Sequence, residues 1–184
     1  MSSIISQDIE KILIDESQIE ERCRQLAKQI EKDYIEEGTI PLVVGLLRGS
    51  VPFMAELIKY FSQPIEIDFM SVSSYEGTSS VGDVKINKDL DLSSRGRHVL
   101  IVEDIVDTGR TVREVRKLLY NKGAADVKIV SLLDKPDRRV VDISADYVGF
   151  TVPNEFVVGY GLDYNQLYRN LPFIGILKPE IYAD

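Results

Sequence analysis

An α/β fold, a single three-layer domain built on a central and mainly parallel sheet, is the architecture this chain predicts, and three features predict it. Short apolar runs rich in Val, Leu and Ile recur along the sequence, the pattern of strands buried on both faces. Stretches of helical length with one apolar stripe separate several of those runs, and such alternation implies parallel strands joined by right-handed crossovers. The 184 residues suit one domain, and no Pro/Gly/Ser-rich linker, internal repeat or low-complexity tract divides them.

The elements follow in order. Ser17-Gln18-Ile19-Glu20 has the form of a capping box. Behind it Ile19, Cys23, Leu26, Ile30 and Tyr34 recur at spacings of 4, 3, 4 and 4, an amphipathic helix that stops before Gly38. Cys23 lies on that stripe and reads as a small core hydrophobe. Ile40 to Leu47 is a buried strand bounded by Gly49, and Ser50-Val51-Pro52 starts a helix whose apolar face is Phe53, Met54, Leu57, Ile58 and Phe61. Ile65 to Val72 alternates as a second strand. Ser73 to Asp91 is polar and poorly periodic apart from a hairpin signal at Val84 to Ile86; so long an irregular segment is usually functional. Val99 to Val102 is a strand, and Gly109 to Lys122 a helix with Val112, Val115, Leu118 and Leu119 on one face and Gly123 as its stop. Val127 to Leu133, Tyr147 to Val152 and Phe156 to Tyr160 complete the strands. The lone His98, just before the central strand, reads as structural.

Charge narrows the function. The 22 Lys and Arg stand against 30 Asp and Glu, a net charge of −8, which argues against a general nucleic-acid binder. The balance is uneven: Met1 to Glu37 holds ten acids and five bases, whereas Arg110 to Lys122 holds five bases and one acid. An anionic small molecule suits the second segment. No apolar run nears the roughly 18 residues of a membrane span. The opening Met1 to Ser6 carries no secretory signal pattern, and one cysteine allows no internal disulfide, so a reducing cytoplasm is expected.

The string Val99-Leu100-Ile101-Val102-Glu103-Asp104-Ile105-Val106-Asp107-Thr108-Gly109-Arg110-Thr111 carries the chemistry. A buried strand delivers two adjacent carboxylates at its carboxyl end, where open α/β sheets gather ligands. A short loop then opens a helix whose unpaired N–H groups and dipole favour an anion by roughly 0.3–1 kcal/mol. Thr108 and Thr111 add hydroxyl donors, and Gly109 allows close approach of backbone to phosphate. Glu103 and Asp104 repel one another, which suggests either a counter-cation or paired sugar hydroxyls. Neither G-x-G-x-x-G nor G-x-x-x-x-G-K-[ST] occurs, which disfavours a Rossmann or P-loop protein.

Glu103 to Thr111 resembles the phosphoribosyl-pyrophosphate signature of type I phosphoribosyltransferases, in the form found in the hypoxanthine-guanine enzymes. Four further segments match in the family's order. Leu46-Leu47-Arg48-Gly49-Ser50 is similar to the pyrophosphate loop, and Ser73-Ser74-Tyr75 to the start of a mobile catalytic loop spanning about 73–91. Leu132-Leu133-Asp134-Lys135-Pro136 resembles the segment with a purine-binding lysine. Phe156 to Tyr164, with Arg169 after it, resembles the purine-stacking strand and its successor. The likeness extends to the closing Leu177-Lys178-Pro179-Glu180-Ile181-Tyr182.

The resemblance implies a small hood over the sheet, from about 1–14 and 152–184, and transfer of ribose 5-phosphate from phosphoribosyl pyrophosphate to N9 of a 6-oxopurine, releasing pyrophosphate. It implies that Asp107, Thr108, Gly109, Arg110 and Thr111 hold the 5-phosphate. Glu103 and Asp104 then take the ribose hydroxyls, directly or through Mg²⁺, with Asp163 ordering a second Mg²⁺ on pyrophosphate. Asp107 is similar to the general base near purine N7; a purely hydrogen-bonding role stays open, because an unperturbed Asp, pKa about 3.9, is a weak base. Lys135 donates to the exocyclic O6, Phe156 stacks on the base, and Val157 and Asp163 contact it. Arg48, Gly49 and Arg169 bind pyrophosphate, and Ser74 and Tyr75 close over the site to exclude water. Arg48 and Arg110 stand where many relatives have lysine. The Leu47-Arg48 bond matches a position that is often cis. A homodimer or homotetramer is expected by analogy. Two other readings share this fold: a xanthine-preferring transferase, and an RNA-binding regulator like the pyrimidine-operon attenuators.

Overall fold

The computed structural model describes residues 7–74 and 84–183. Along the chain lie β1 (Ile9–Ile14), α1 (Glu16–Glu36), β2 (Leu42–Leu46), α2 (Val51–Leu57) with a 3₁₀ turn at Ile58–Tyr60, β3 (Glu66–Ser74) and β4 (Val84–Lys88). Next come β5 (His98–Val106), α3 (Arg110–Asn121), β6 (Asp126–Asp134) with a 3₁₀ turn at Pro136–Arg138, β7 (Tyr147–Thr151), β8 (Val157–Val158), β9 (Ile174–Leu177) and α4 (Pro179–Tyr182). The central sheet has six strands in the order β4-β3-β2-β5-β6-β7, all parallel except β4, which pairs antiparallel with β3.

Strand periodicity builds the three layers. On β2, Val43 packs with α1 and α2 residues such as Ile19, Leu26 and Phe53, while Leu42, Val44 and Leu46 pack with Val112, Val115 and Leu119 of α3. On β5 the split repeats, with Leu100 and Val102 on one side and Val99 and Ile101 on the other. Each fully buried aliphatic side chain contributes roughly 1.5–3 kcal/mol, so register is strongly specified. A second sheet, β1-β9-β8, is antiparallel and packs Val158, Tyr168, Leu171 and Leu177 together.

Some expectations need correction. The box capping α1 lies two residues earlier: Asp15 Oδ1 accepts from Gln18 N at 2.9 Å, and Asp15 N donates to Gln18 Oε1 at 2.9 Å. Aspartate accepts as well as serine does, and Ser17 merely donates its hydroxyl to Asp15. The second helix ends at Leu57 and tightens to a 3₁₀ turn before Phe61 becomes extended. Strand character at Phe156 to Tyr160 is confined to Val157 and Val158, which join the second sheet; Gly159, Tyr160 and Gly161 all adopt positive φ and end it. β5 continues to Val106, so Glu103 and Asp104 belong to the strand itself. No α-helix separates β6 from β7, only the 3₁₀ turn at Pro136–Arg138, yet the two are parallel.

His98 opens β5 at the end away from those acids, with Nδ1 3.6 Å from Glu37 Oε2 and its ring edge-on to Tyr34. Cys23 is fully buried, and burial pushes its thiol up to about 12, where it is inert. Among the described residues no helix is long and apolar enough to cross a membrane.

Candidate active site

The chain passes from β2 outward to β3, then returns to place β5 on the other side of β2, so the strand order reverses between β2 and β5. A crevice opens at the carboxyl ends of strands at such a switch point. Here β2 runs into Leu47-Arg48-Gly49, and β5 ends in Glu103 to Val106 and the loop to α3. A cavity of about 270 Å³ occupies the crevice, lined by Gly49, Glu103, Asp104, Asp107, Thr108, Gly109 and Thr111 together with apolar neighbours.

Gly109 is the N-cap of α3, with φ +82°. Its missing side chain makes room for packing: a Cβ would lie 2.6 Å from Ile143 Cγ2 and 2.8 Å from Arg139 Cδ. Arg139 fastens this loop from outside. Its Nε donates to Asp107 O at 3.0 Å, its Nη2 to Val106 O at 3.3 Å, and it forms an ion pair with Asp134. The side chain of Arg110 is exposed and outside the cavity lining, so the loop's contribution is its backbone and hydroxyls.

Glu103 is buried and Asp104 beside it is half-buried, and their hydrogen-bond donors among the described residues are the backbone N–H groups of Asp104 and Ile105. Burial raises the proton affinity of both, Glu103 well above the ordinary carboxylate range; proximity to Asp104 adds to that. Two adjacent carboxylates short of donors fit a hard divalent cation or a pair of hydroxyls. Gly49 presses on them, since a Cβ there would lie 1.7 Å from Asp104 Oδ2. The Leu47–Arg48 peptide is cis. Among the described residues the one triad of converging ligand atoms is Glu37, His98 and Asp126, at the opposite end of β5.

Asp163 is held by partners of its own. Its Oδ1 is 3.1 Å from Arg169 Nη2, and its Oδ2 accepts from Gln166 N at 2.8 Å. Asp163 is not among the residues that line the cavity containing Lys135. Gln166 Oε1 also accepts from Arg48 Nη1 at 3.1 Å and Arg169 Nη2 at 3.0 Å, linking the two expected pyrophosphate cations.

A second cavity, about 340 Å³, is lined by Ile105, Asp107, Lys135, Arg138, Phe156, Val157, Leu162 and Tyr182 among others. Lys135 is buried, its Nζ donates to Glu155 O at 2.8 Å, and burial chiefly lowers its proton affinity. Phe156 stacks on Tyr182, ring centres 4.6 Å apart and planes 19° apart, with Tyr164 edge-on at 5.7 Å. Ile105 and Asp107 line both cavities.

Sequence reasoning missed Arg138, Arg139, Gln166 and Tyr182 as parts of this region. The doubled arginine just after Lys135-Pro136, in an acidic chain, was a usable signal; Gln166 had none. Ser74 ends β3, and residues 75–83 of the expected catalytic loop, Tyr75 among them, lie outside the described residues.

A strand-end crevice with a phosphate-sized loop, an acidic pair and an adjoining aromatic pocket defines a class. The phosphoribosyl transferase domain profile matches residues 11–165, and the chain belongs to that family. Within it, the chain is similar to the hypoxanthine-guanine phosphoribosyltransferase of Lactococcus lactis subsp. lactis, 57% identical over 175 residues that cover 95% of this chain and 94% of the relative. It is also similar to that of Streptococcus pneumoniae, 53% identical over 182 residues covering 98% and 100%. A crystal structure of a hypoxanthine phosphoribosyltransferase from Staphylococcus aureus superposes with a TM-score of 0.94, at 49% identity and 100% coverage of both chains.

Proposed function

We propose that this chain transfers the 5-phosphoribosyl group of phosphoribosyl pyrophosphate to N9 of hypoxanthine, and of guanine, releasing pyrophosphate. The observation that carries this reading is the pair of adjoining cavities that share Asp107, one polar and at a helix start, the other aromatic and containing a buried lysine. A sugar phosphate in the first and a purine in the second bring the anomeric carbon and N9 together where they adjoin, which is the proximity the transfer needs.

The residues divide the work. Backbone N–H groups and hydroxyls of Thr108 to Thr111 hold the 5-phosphate. Glu103 and Asp104 orient the ribose hydroxyls or hold Mg²⁺, with Asp163 serving a second ion. Bound Mg²⁺ supplies positive charge to the leaving pyrophosphate. Arg48 and Arg169 leave Gln166 to pair with pyrophosphate oxygens, a charge-assisted exchange. Asp107 accepts a hydrogen bond, and in turnover a proton, from the purine imidazole edge. Lys135 donates to O6; adenine would set an amino donor against it, which costs an unpaired buried donor roughly 1–3 kcal/mol. Phe156 and Val157 hold the base plane, and Ser74 with Tyr75 closes the site. Self-association and a cytoplasmic location belong to this reading on the family resemblance alone.

The test is competition by purines in an assay of labelled phosphoribosyl pyrophosphate consumption with Mg²⁺ present. Hypoxanthine and guanine are expected to drive consumption and adenine to leave it unchanged. Consumption driven by xanthine alone, or tight binding of an RNA hairpin without nucleotide formation, would overturn the reading.

A further inference from the structure

We propose that Arg138 is a positioning residue for this transfer: its guanidinium covers one oxygen of the Asp107 carboxylate and so presents the other to the purine. The inference rests on the proposed reading, in which Asp107 faces the base.

The geometry is specific. Arg138 Nε lies 3.1 Å from Asp107 Oδ1. That oxygen is shielded from solvent and has no aligned hydrogen bond, although the Asp107 side chain as a whole is 36% accessible. The accessible part of the carboxylate is therefore its other oxygen, and Asp107 lines the cavity where the base is expected. Arg138 ends the 3₁₀ turn Pro136–Arg138, in which Arg138 N donates to Lys135 O at 3.2 Å and Arg139 N to Pro136 O at 3.0 Å. One turn thus carries both Lys135 and the cation that faces Asp107. The next residue grips the same aspartate at its backbone, Arg139 Nε donating to Asp107 O. Two consecutive arginines hold Asp107 at both ends.

Such a device has a use because Lys135 and Asp107 line the same cavity. Without Arg138, Lys135 would be the cation of that cavity facing Asp107, and attraction between the acceptor for N7 and the donor for O6 would compete with the base for both. Arg138 supplies the competing attraction from a half-exposed position, where an ion pair adds little to folding stability. Its effect should therefore fall on purine use rather than on the folded state.

The experiment is steady-state nucleotide formation by the full chain, with hypoxanthine and phosphoribosyl pyrophosphate varied separately, for Arg138→Ala, Arg138→Lys, Asp107→Asn and the double variant Arg138→Ala/Asp107→Asn. Arg138→Ala should lower kcat/KM for hypoxanthine by about tenfold while KM for phosphoribosyl pyrophosphate moves less than about twofold. Arg138→Lys should restore much of the loss, since the charge is kept. With asparagine at 107 the carboxylate is gone, so adding Arg138→Ala should cost less than about twofold more. Equal or higher activity in Arg138→Ala, an undiminished loss on the Asp107→Asn background, or a parallel rise in KM for phosphoribosyl pyrophosphate would each overturn the proposal. Failure of the unmutated chain to form nucleotide would instead refute the functional reading beneath it.

Discussion

Gly49→Ala probes how tightly the two halves of the crevice are fitted. An added Cβ would sit 1.7 Å from Asp104 Oδ2 and 2.6 Å from its Cγ, whereas ordinary contact begins at 3.4 Å. Relief by motion of the carboxylate alone requires a retreat of 3.4 − 1.7 = 1.7 Å. The loop has little room on the side of Gly161, where Gly49 O lies so close that a Cβ would meet it at 1.9 Å. Gly49 does not have a left-handed φ, so alanine meets no backbone penalty and the effect isolates the contact. Overpacking of this kind costs about 1–3 kcal/mol, a fall of several degrees in Tm at this size. Displacing a group that orients ribose or metal by more than about 1 Å costs about 10²-fold in rate. The assay is kcat/KM for phosphoribosyl pyrophosphate at saturating Mg²⁺ and hypoxanthine, with Tm measured alongside. Gly96→Ala is the control: its φ is +69° with nothing within 4 Å of a Cβ, so it should cost about 1–2 kcal/mol of stability and leave kinetics unchanged. Wild-type kcat/KM in Gly49→Ala would refute the fit of loop to acid as a catalytic requirement.

Other outcomes follow from the same geometry. Asp107→Asn should reduce kcat by about 10²–10⁴-fold while affinity for phosphoribosyl pyrophosphate changes far less; unchanged turnover would remove the proton role. Lys135→Ala should cost hypoxanthine about 10–100-fold in kcat/KM and relax discrimination against adenine, read from paired kinetics with both bases. Glu103 binds its proton more tightly folded than unfolded, so from the ordinary carboxylate range up through its raised value stability falls as pH rises. Glu103→Gln should remove the Glu103 share of that slope, leaving that of Asp104, and the difference in Tm between variant and unmutated protein, without Mg²⁺, should grow in the variant's favour as pH rises through that window. Parallel Tm curves would contradict the burial argument. Excess chelator should abolish activity, and turnover that persists in it would contradict the metal assignment.

Local physics made much of this protein readable in one dimension. Apolar period and caps are properties of neighbouring residues, so α1, α3 and the runs that became β2, β5 and β6 could be located before any packing was known. The string from Glu103 to Thr111 was legible for the same reason: a strand, a turn glycine and a helix start must be contiguous to make such a loop. Val157-Val158 misled because strand propensity does not say which sheet a strand joins; the positive φ values from Gly159 to Gly161 and pairing with β9 decided that. Asp163 could be singled out as an acid, but its orientation was set by Arg169, six residues on, and by a backbone N–H in a left-handed turn. The pairings of Arg138 with Asp107, across 31 residues, and of Arg48 with Gln166, across 118, arise only when β2, β5 and the segments after β6 and β8 converge. Sequence alone thus determined which chemical groups the chain brings to its strand ends. Tertiary structure decided which oxygen and which cation face each other, because those choices depend on distances between segments that no local pattern encodes.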